Sequence, residues 1–82
     1  MEKLRKRIDE LDTEILRLLN ERAECVVKIG EIKQRAQSNV VVPQREKELL
    51  GRLTSLNKGP MTEKMVHSLF QEIIDTLKEL QK

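Results

Sequence analysis

The sequence predicts an all-α protein in which one long helix is followed by two shorter ones. Charged residues make up 37% of the chain and hydrophobic residues 38%, while aromatic residues contribute only 1%. This composition, combined with a helical repeat of apolar residues, is typical of helical bundles built from Leu and Ile. With 82 residues, the chain is near the size at which a single core is marginal, so we expect one small domain over residues 1–82.

A seven-residue repeat predicts helix 1 over about residues 2–36. Its two apolar positions carry Met1, Ile8, Ile15, Arg22, Ile29 and Ala36, and Leu4, Leu11, Leu18, Cys25 and Ile32. Every residue of this set except Arg22 is apolar, at the spacing that packs one helix against another. We call the set the apolar stripe, and we expect Cys25 within it to be buried. Gly30 costs about 1 kcal/mol in a helix interior, so we expect another backbone to pack closely against it.

The repeat breaks over residues 37–42, which predicts a loop, and helix 2 is expected over about 43–56. Pro43 suits the first position of a helix, and the leucines that follow share one face: Leu49, Leu50, Leu53 and Leu56. The segment Asn57-Lys58-Gly59-Pro60 predicts the end of one helix and the start of the next. We therefore expect helix 3 over about residues 60–81.

The length of helix 1 predicts a homodimer. A compact domain of this size has a radius of gyration of only about 12 Å, whereas a helix of about 34 residues is about 50 Å long. Helices 2 and 3 are too short to cover all of the apolar stripe. Two long helices paired across a two-fold axis would bury it.

Composition also argues against several classes of function. Sixteen Lys and Arg against fourteen Asp and Glu leave a net charge of only +2, with no set of aromatic residues to stack on bases, so we do not expect nucleic-acid binding. One Cys and one His cannot form a Cys/His zinc site or an intrachain disulfide. Charges interrupt every apolar stretch, so we expect neither a signal peptide nor a membrane span, and a cytoplasmic location.

Polar side chains interrupt the apolar faces of all three helices. Arg22 lies in the apolar stripe, and Lys33 projects within about 20° of the same direction, roughly 16 Å further along the helix. Arg45 and Glu46 lie on or beside the apolar face of helix 2, and Gln81 lies on that of helix 3. Taken singly, Arg45 and Glu46 also suit an ordinary solvated pair in the first turn of helix 2, and Gln81 suits a frayed helix end. A buried arginine without partners is disfavoured, so together they predict a pocket for a small dianion.

These residues belong to a longer series that runs along nearly the whole chain: Arg5, Asp12, Leu18-Leu19-Asn20-Glu21-Arg22, Ile29-Gly30-Glu31-Ile32-Lys33, Pro43-Gln44-Arg45-Glu46 and Phe70-Gln71-Glu72-Ile73-Ile74. Their order and spacing resemble the all-helical chorismate mutases. The resemblance is greatest to the mutase domain at the N-terminus of bifunctional mutase–prephenate dehydratases. It implies an intertwined homodimer of three-helix chains with two active sites, which converts chorismate to prephenate on the route to phenylalanine and tyrosine.

The resemblance also implies a role for each polar residue. Carried over by position, Arg22, Arg45 and Lys33 would line a site and, together with Arg5, would bind the substrate's two carboxylates. Arg5 would reach the same site from the other subunit. Lys33 and Gln81 would donate hydrogen bonds to the ether oxygen of the breaking bond.

Glu46 is implied to accept a hydrogen bond from the ring hydroxyl of the substrate. Two departures from the family pattern lie nearby. Val42 stands where many relatives carry an acidic residue. The ring hydroxyl of the substrate would then be bound by Glu46 and by backbone groups. Leu77 stands where relatives usually carry a small hydroxyl residue near a substrate carboxylate, so we expect weak substrate affinity.

The chemistry of the implied reaction suits this set of residues. A Claisen rearrangement is unimolecular and requires no nucleophile, metal or cofactor, so we expect none. Two alternatives remain open from the sequence. The same fold serves isochorismate–pyruvate lyases, which use a similar cationic pocket, and a non-catalytic dimerisation or regulatory module could keep the outline of the pocket.

Overall fold

The computed structural model describes residues 1–36 and 43–81, and its regular structure is entirely helical within those ranges. Helix α1 spans Glu2–Arg35, α2 spans Pro43–Leu56 and α3 spans Glu63–Lys78, followed directly by a 3₁₀ helix over Glu79–Gln81. The predicted all-α class is confirmed. The bounds of α1 and α2 agree with the expected ones to within one residue, and the expected loop over residues 37–42 lies outside the described residues.

Helix α3 begins later than the sequence predicted. We expected it to start at Pro60, but its first residue is Glu63. Thr62 precedes it in an extended conformation, and its hydroxyl accepts a hydrogen bond of 3.1 Å from the backbone N–H of Met65. This cap satisfies one of the free N–H groups of the first turn, which places the helix start after Thr62.

Asn57 shapes the turn between α2 and α3. Its backbone N–H donates to the carbonyl of Leu53 at 3.1 Å, which closes the last turn of α2. Its side-chain amide donates to the carbonyl of Met61 at 2.7 Å, and its side-chain oxygen accepts from the N–H of Gly59 at 3.3 Å. These bonds hold the residues around Pro60 in a turn, and α3 then runs back along α2.

Helices α2 and α3 form an antiparallel hairpin with a small core. The buried apolar side chains among the described residues are Leu50, Val66 and Ile74. Glu46 in the first turn of α2 contacts Gln71 and Lys78 near the end of α3, which establishes the antiparallel arrangement. Because this hairpin is so small, it can bury little of the apolar surface of the much longer α1.

Within the described residues, helix α1 meets this hairpin through α3 and the 3₁₀ helix, and Gln81 of the 3₁₀ helix lies against Val26 and Gly30. A Cβ atom built on Gly30 would lie 3.2 Å from the Cα atom of Gln81 and 3.3 Å from its Cγ atom. The expected close approach of another backbone to Gly30 is therefore confirmed. Within the described ranges, α2 does not pack against α1.

Most of the apolar stripe is exposed in the single chain. The molecule measures 52 × 24 × 15 Å and has a radius of gyration of 15.5 Å, against about 12 Å for a compact domain of this length. The exposed apolar residues of α1 include Leu4, Ile8, Leu11, Ile15, Leu18, Ile29 and Ile32. Cys25 is exposed as well, contrary to the burial expected from the sequence, because none of the other described helices covers that side of α1.

The two glycines inside helices provide a matched test of this packing. Both Gly30→Ala and Gly51→Ala gain about 1 kcal/mol of helix propensity. Beyond the adjoining residues and backbone of its own helix, no described atom lies within 4 Å of a Cβ atom added at Gly51. Gly51→Ala should therefore raise the free energy of unfolding in urea by about that amount. Gly30→Ala should gain less or lose stability, because its methyl group pushes against Gln81. Equal stabilisation by the two changes would contradict the docking of the 3₁₀ helix on α1.

Candidate active site

One face of α1 carries two of the candidate cations beside the docked 3₁₀ helix. Arg22, Val26, Gly30 and Lys33 follow one another at helical spacing, and all four are half-buried. The side-chain amide of Gln81 donates to the carbonyl oxygen of Val26 at 3.5 Å. This hydrogen bond is long and therefore weak. The amide of Gln81 could exchange it for a hydrogen bond to a ligand atom at little cost in free energy. The structure thus brings Arg22 and Lys33 onto the face against which Gln81 packs.

A second group of polar side chains surrounds Glu46, which is half-buried between α2 and α3. The ammonium group of Lys78 forms an ion pair with Oε2 of Glu46. The amide of Gln71 donates to Oε1 of Glu46 at 3.4 Å and to Oδ1 of Asp75 at 3.1 Å. The hydrogen bond from Lys78 is the largest influence that lowers the pKa of Glu46 from its ordinary value. Glu46 is therefore an ionised hydrogen-bond acceptor with a defined orientation.

Sequence reasoning missed Lys78 and Gln71 as neighbours of Glu46. Their contacts join α2 to α3 across the hairpin, and they depend on the register in which the two helices pack. The spacing of charges along one helix carries no information about that register. Leu77, which stands at the position of the expected hydroxyl residue, is half-buried, whereas Val42 lies outside the described residues.

The remaining two candidate cations lie on open surface in the single chain. Arg45 is exposed, although it precedes the half-buried Glu46. The side chain of Arg5 is 67% exposed and lies 3.9 Å from the carboxylate of Glu2. Arg5 precedes Arg22 by seventeen residues, or about 25 Å along the helix axis. That distance is several times the length of an arginine side chain, so Arg5 cannot contact a ligand held at Arg22 of its own chain.

Among the described residues, the structure shows a groove on the α2–α3 hairpin, lined by residues that include Lys47, Gly51, Lys64 and His67. None of the candidate site residues lines this groove. The α1 face with Arg22 and Lys33 is instead continuous with the exposed apolar stripe. Any pocket around these cations therefore needs a further wall.

Neither a metal cluster nor a membrane-spanning helix is found in the described part of the chain. Across residues 1–36 and 43–81, no three side chains of His, Cys, Asp or Glu are grouped so that they could hold a metal ion. No helix in those same ranges is both long enough and apolar enough to cross a membrane.

Comparisons with known proteins identify the family. Residues 4–82 match the family model described as chorismate mutase type II. The chain is 42% identical over 86 residues to a bifunctional chorismate mutase/prephenate dehydratase of Aquifex aeolicus, an alignment that covers 100% of this chain and 24% of that protein. It is 35% identical over 80 residues to a chorismate mutase of Methanocaldococcus jannaschii, which covers 96% of this chain and 81% of that one.

The fold agrees with these sequence matches. A solved structure of chorismate mutase (form II) from Thermus thermophilus superposes with a TM-score of 0.93 at 38% identity, over 98% of this chain and 91% of that chain. The chain spans about a quarter of the length of the bifunctional relative and most of the shorter one. Since the family model covers nearly all of its residues, the chain belongs to the chorismate mutase type II family, whose name describes an isomerase.

Proposed function

We propose that this chain is a chorismate mutase that converts chorismate to prephenate in the biosynthesis of phenylalanine and tyrosine. The observation that carries the proposal is the packing of Gln81 against the face of α1 that carries Arg22 and Lys33, in a chain of this family. A cytoplasmic location, expected from the sequence, is part of the same proposal.

Substrate binding supplies the first part of the catalysis. The rearrangement is unimolecular, and its main requirement is that the flexible enolpyruvyl arm lie over the ring. Arginine forks bind carboxylates through two parallel hydrogen bonds, so Arg22 and Arg45 would fix the two carboxylates of the substrate. Holding both ends of the reacting system in a near-attack geometry removes much of the entropic part of the barrier.

Electrostatic stabilisation supplies the second part. Negative charge develops on the ether oxygen as its bond to the ring breaks. Lys33 and the amide of Gln81 would donate hydrogen bonds to that oxygen, and both belong to the region where the 3₁₀ helix packs on α1. Donors that are already in place cost no reorganisation during the reaction, and removing one typically costs about 3–4 kcal/mol of transition-state stabilisation. Glu46 would accept a hydrogen bond from the ring hydroxyl.

We further propose that two chains form an intertwined homodimer and share each site. Exposed apolar residues along α1 give a second copy a large surface to bury. Arg5 lies about 25 Å along the helix from Arg22, so it would complete the site of the partner rather than its own. The second chain would also supply the wall that the candidate pocket lacks.

The direct experiment is an assay of the purified chain with chorismate and, separately, with isochorismate. We expect chorismate absorbance to fall and prephenate to be the product, with little reaction of isochorismate. Release of pyruvate from isochorismate as the main reaction would favour a lyase instead. Absence of both reactions, together with failure to bind a bicyclic transition-state analogue, would favour a non-catalytic module.

The Gln81→Glu variant tests the proposed donor to the ether oxygen. A carboxylate cannot donate a hydrogen bond, whereas a carboxylic acid can. The activity of this variant should therefore be low at neutral pH and rise as the pH falls towards the ordinary glutamate pKa of about 4.3. Activity should be measured from neutral to acidic pH beside the parent chain.

Gln34→Glu is the matched control, because Gln34 is exposed on α1 and undergoes the same chemical change. Its pH profile should follow that of the parent. A Gln81→Glu profile that also follows the parent would remove Gln81 from the proposed site.

A further inference from the structure

The ion pair between Lys78 and Glu46 joins the last turn of α3 to the first turn of α2. We propose that Lys78 is a positioning residue for the mutase reaction. In this role it binds one oxygen of Glu46 and leaves the other oriented to accept a hydrogen bond from the substrate hydroxyl. The inference rests on the proposed function of Glu46 and adds a residue that the sequence analysis did not select.

The two oxygens of Glu46 have different environments. Oε2 is bound by the ammonium group of Lys78. Among the described residues, Oε1 receives a long hydrogen bond of 3.4 Å from the amide of Gln71, whose shorter bond of 3.1 Å goes to Asp75. Each carboxylate oxygen has two acceptor sites. Oε1 therefore keeps capacity for a hydroxyl donor while Oε2 anchors the group.

Charge favours the same arrangement. The pKa of Lys78 is raised, first by its hydrogen bond to Glu46 and also by the negative charges of Glu46 and Asp75. Lys78 conversely lowers the pKa of Glu46, so the carboxylate stays ionised to a lower pH than it would alone. A protonated Glu46 would lose both the ion pair and part of its strength as an acceptor.

The exposure of the pair argues against a purely structural role. The side chain of Lys78 is 48% exposed and that of Glu46 is 26% exposed. Ion pairs that reach solvent to this extent add little to the stability of a fold. Loss of Lys78 should therefore leave the hairpin folded and act mainly on the orientation and ionisation of Glu46.

The test is the pH dependence of kcat/KM for chorismate in the Lys78→Met and Lys78→Arg variants. In Lys78→Met, kcat/KM should fall several-fold, and its decline on the acidic side should move to higher pH, because Glu46 then protonates more readily. Lys78→Arg should recover the profile, since it restores a cation. Lys78→Gln makes the same test if the Met variant does not fold.

Two further variants separate this effect from a general change in charge. Lys64→Met removes one charge from an exposed position on the same helix and should leave the profile unchanged. In a Glu46→Gln background, Lys78→Met should cause no further shift, because the group on which it acts no longer titrates.

An active parent chain whose acidic limb is unmoved by Lys78→Met would overturn the positioning role alone. An equal shift in Lys64→Met, or a full shift in the Glu46→Gln background, would overturn it too. A parent chain that does not convert chorismate would instead overturn the proposed function.

Discussion

Helix α1 is too long for the other described helices to cover, and the rest of the molecule depends on that constraint. Its 34 residues span nearly the whole 52 Å length of the structure, while the hairpin beside it buries only three apolar side chains among the described residues. Exposed apolar residues along a whole helix are typical of association sites. The same length separates Arg5 from Arg22, so one feature motivates both the proposed homodimer and the proposed sharing of its sites.

The contact between Gly30 and Gln81 links this architecture to the proposed chemistry. Because glycine has no Cβ, the 3₁₀ helix approaches α1 more closely at Gly30 than another residue would allow, one turn from Lys33: an added Cβ atom would lie only 3.2 Å from the Cα atom of Gln81. A hydrogen-bond donor is thereby held by backbone packing rather than by a flexible side chain alone. Such preorganisation is what electrostatic catalysis requires, and the helix-breaking tendency of Gly30 is the associated cost.

The repeat of apolar residues, together with Pro43 and the segment that follows Leu56, predicted α1 and α2 to within one residue, because these signals act locally. The start of α3 was wrong, since Pro60 suggested a helix start that the Thr62 cap and the Asn57 turn override. Candidate site residues could be chosen as polar interruptions of apolar faces. Lys78, the partner of Glu46, could not be predicted from the sequence, because it reaches Glu46 only through the packing of α3 on α2.

The central claim, that each site is built from two chains, is tested most directly by mixing two inactive variants. Arg5→Ala and Arg22→Ala dimers should each be nearly inactive; they are unfolded together in equal amounts and refolded, and kcat for chorismate is measured. If Arg5 acts across the two-fold axis, half of the dimers carry one variant of each kind, and each of these has one intact site. The mixture should then recover about a quarter of the parent activity, provided that the sites are independent. A mixture as inactive as its components, despite demonstrated subunit exchange, would contradict the shared site.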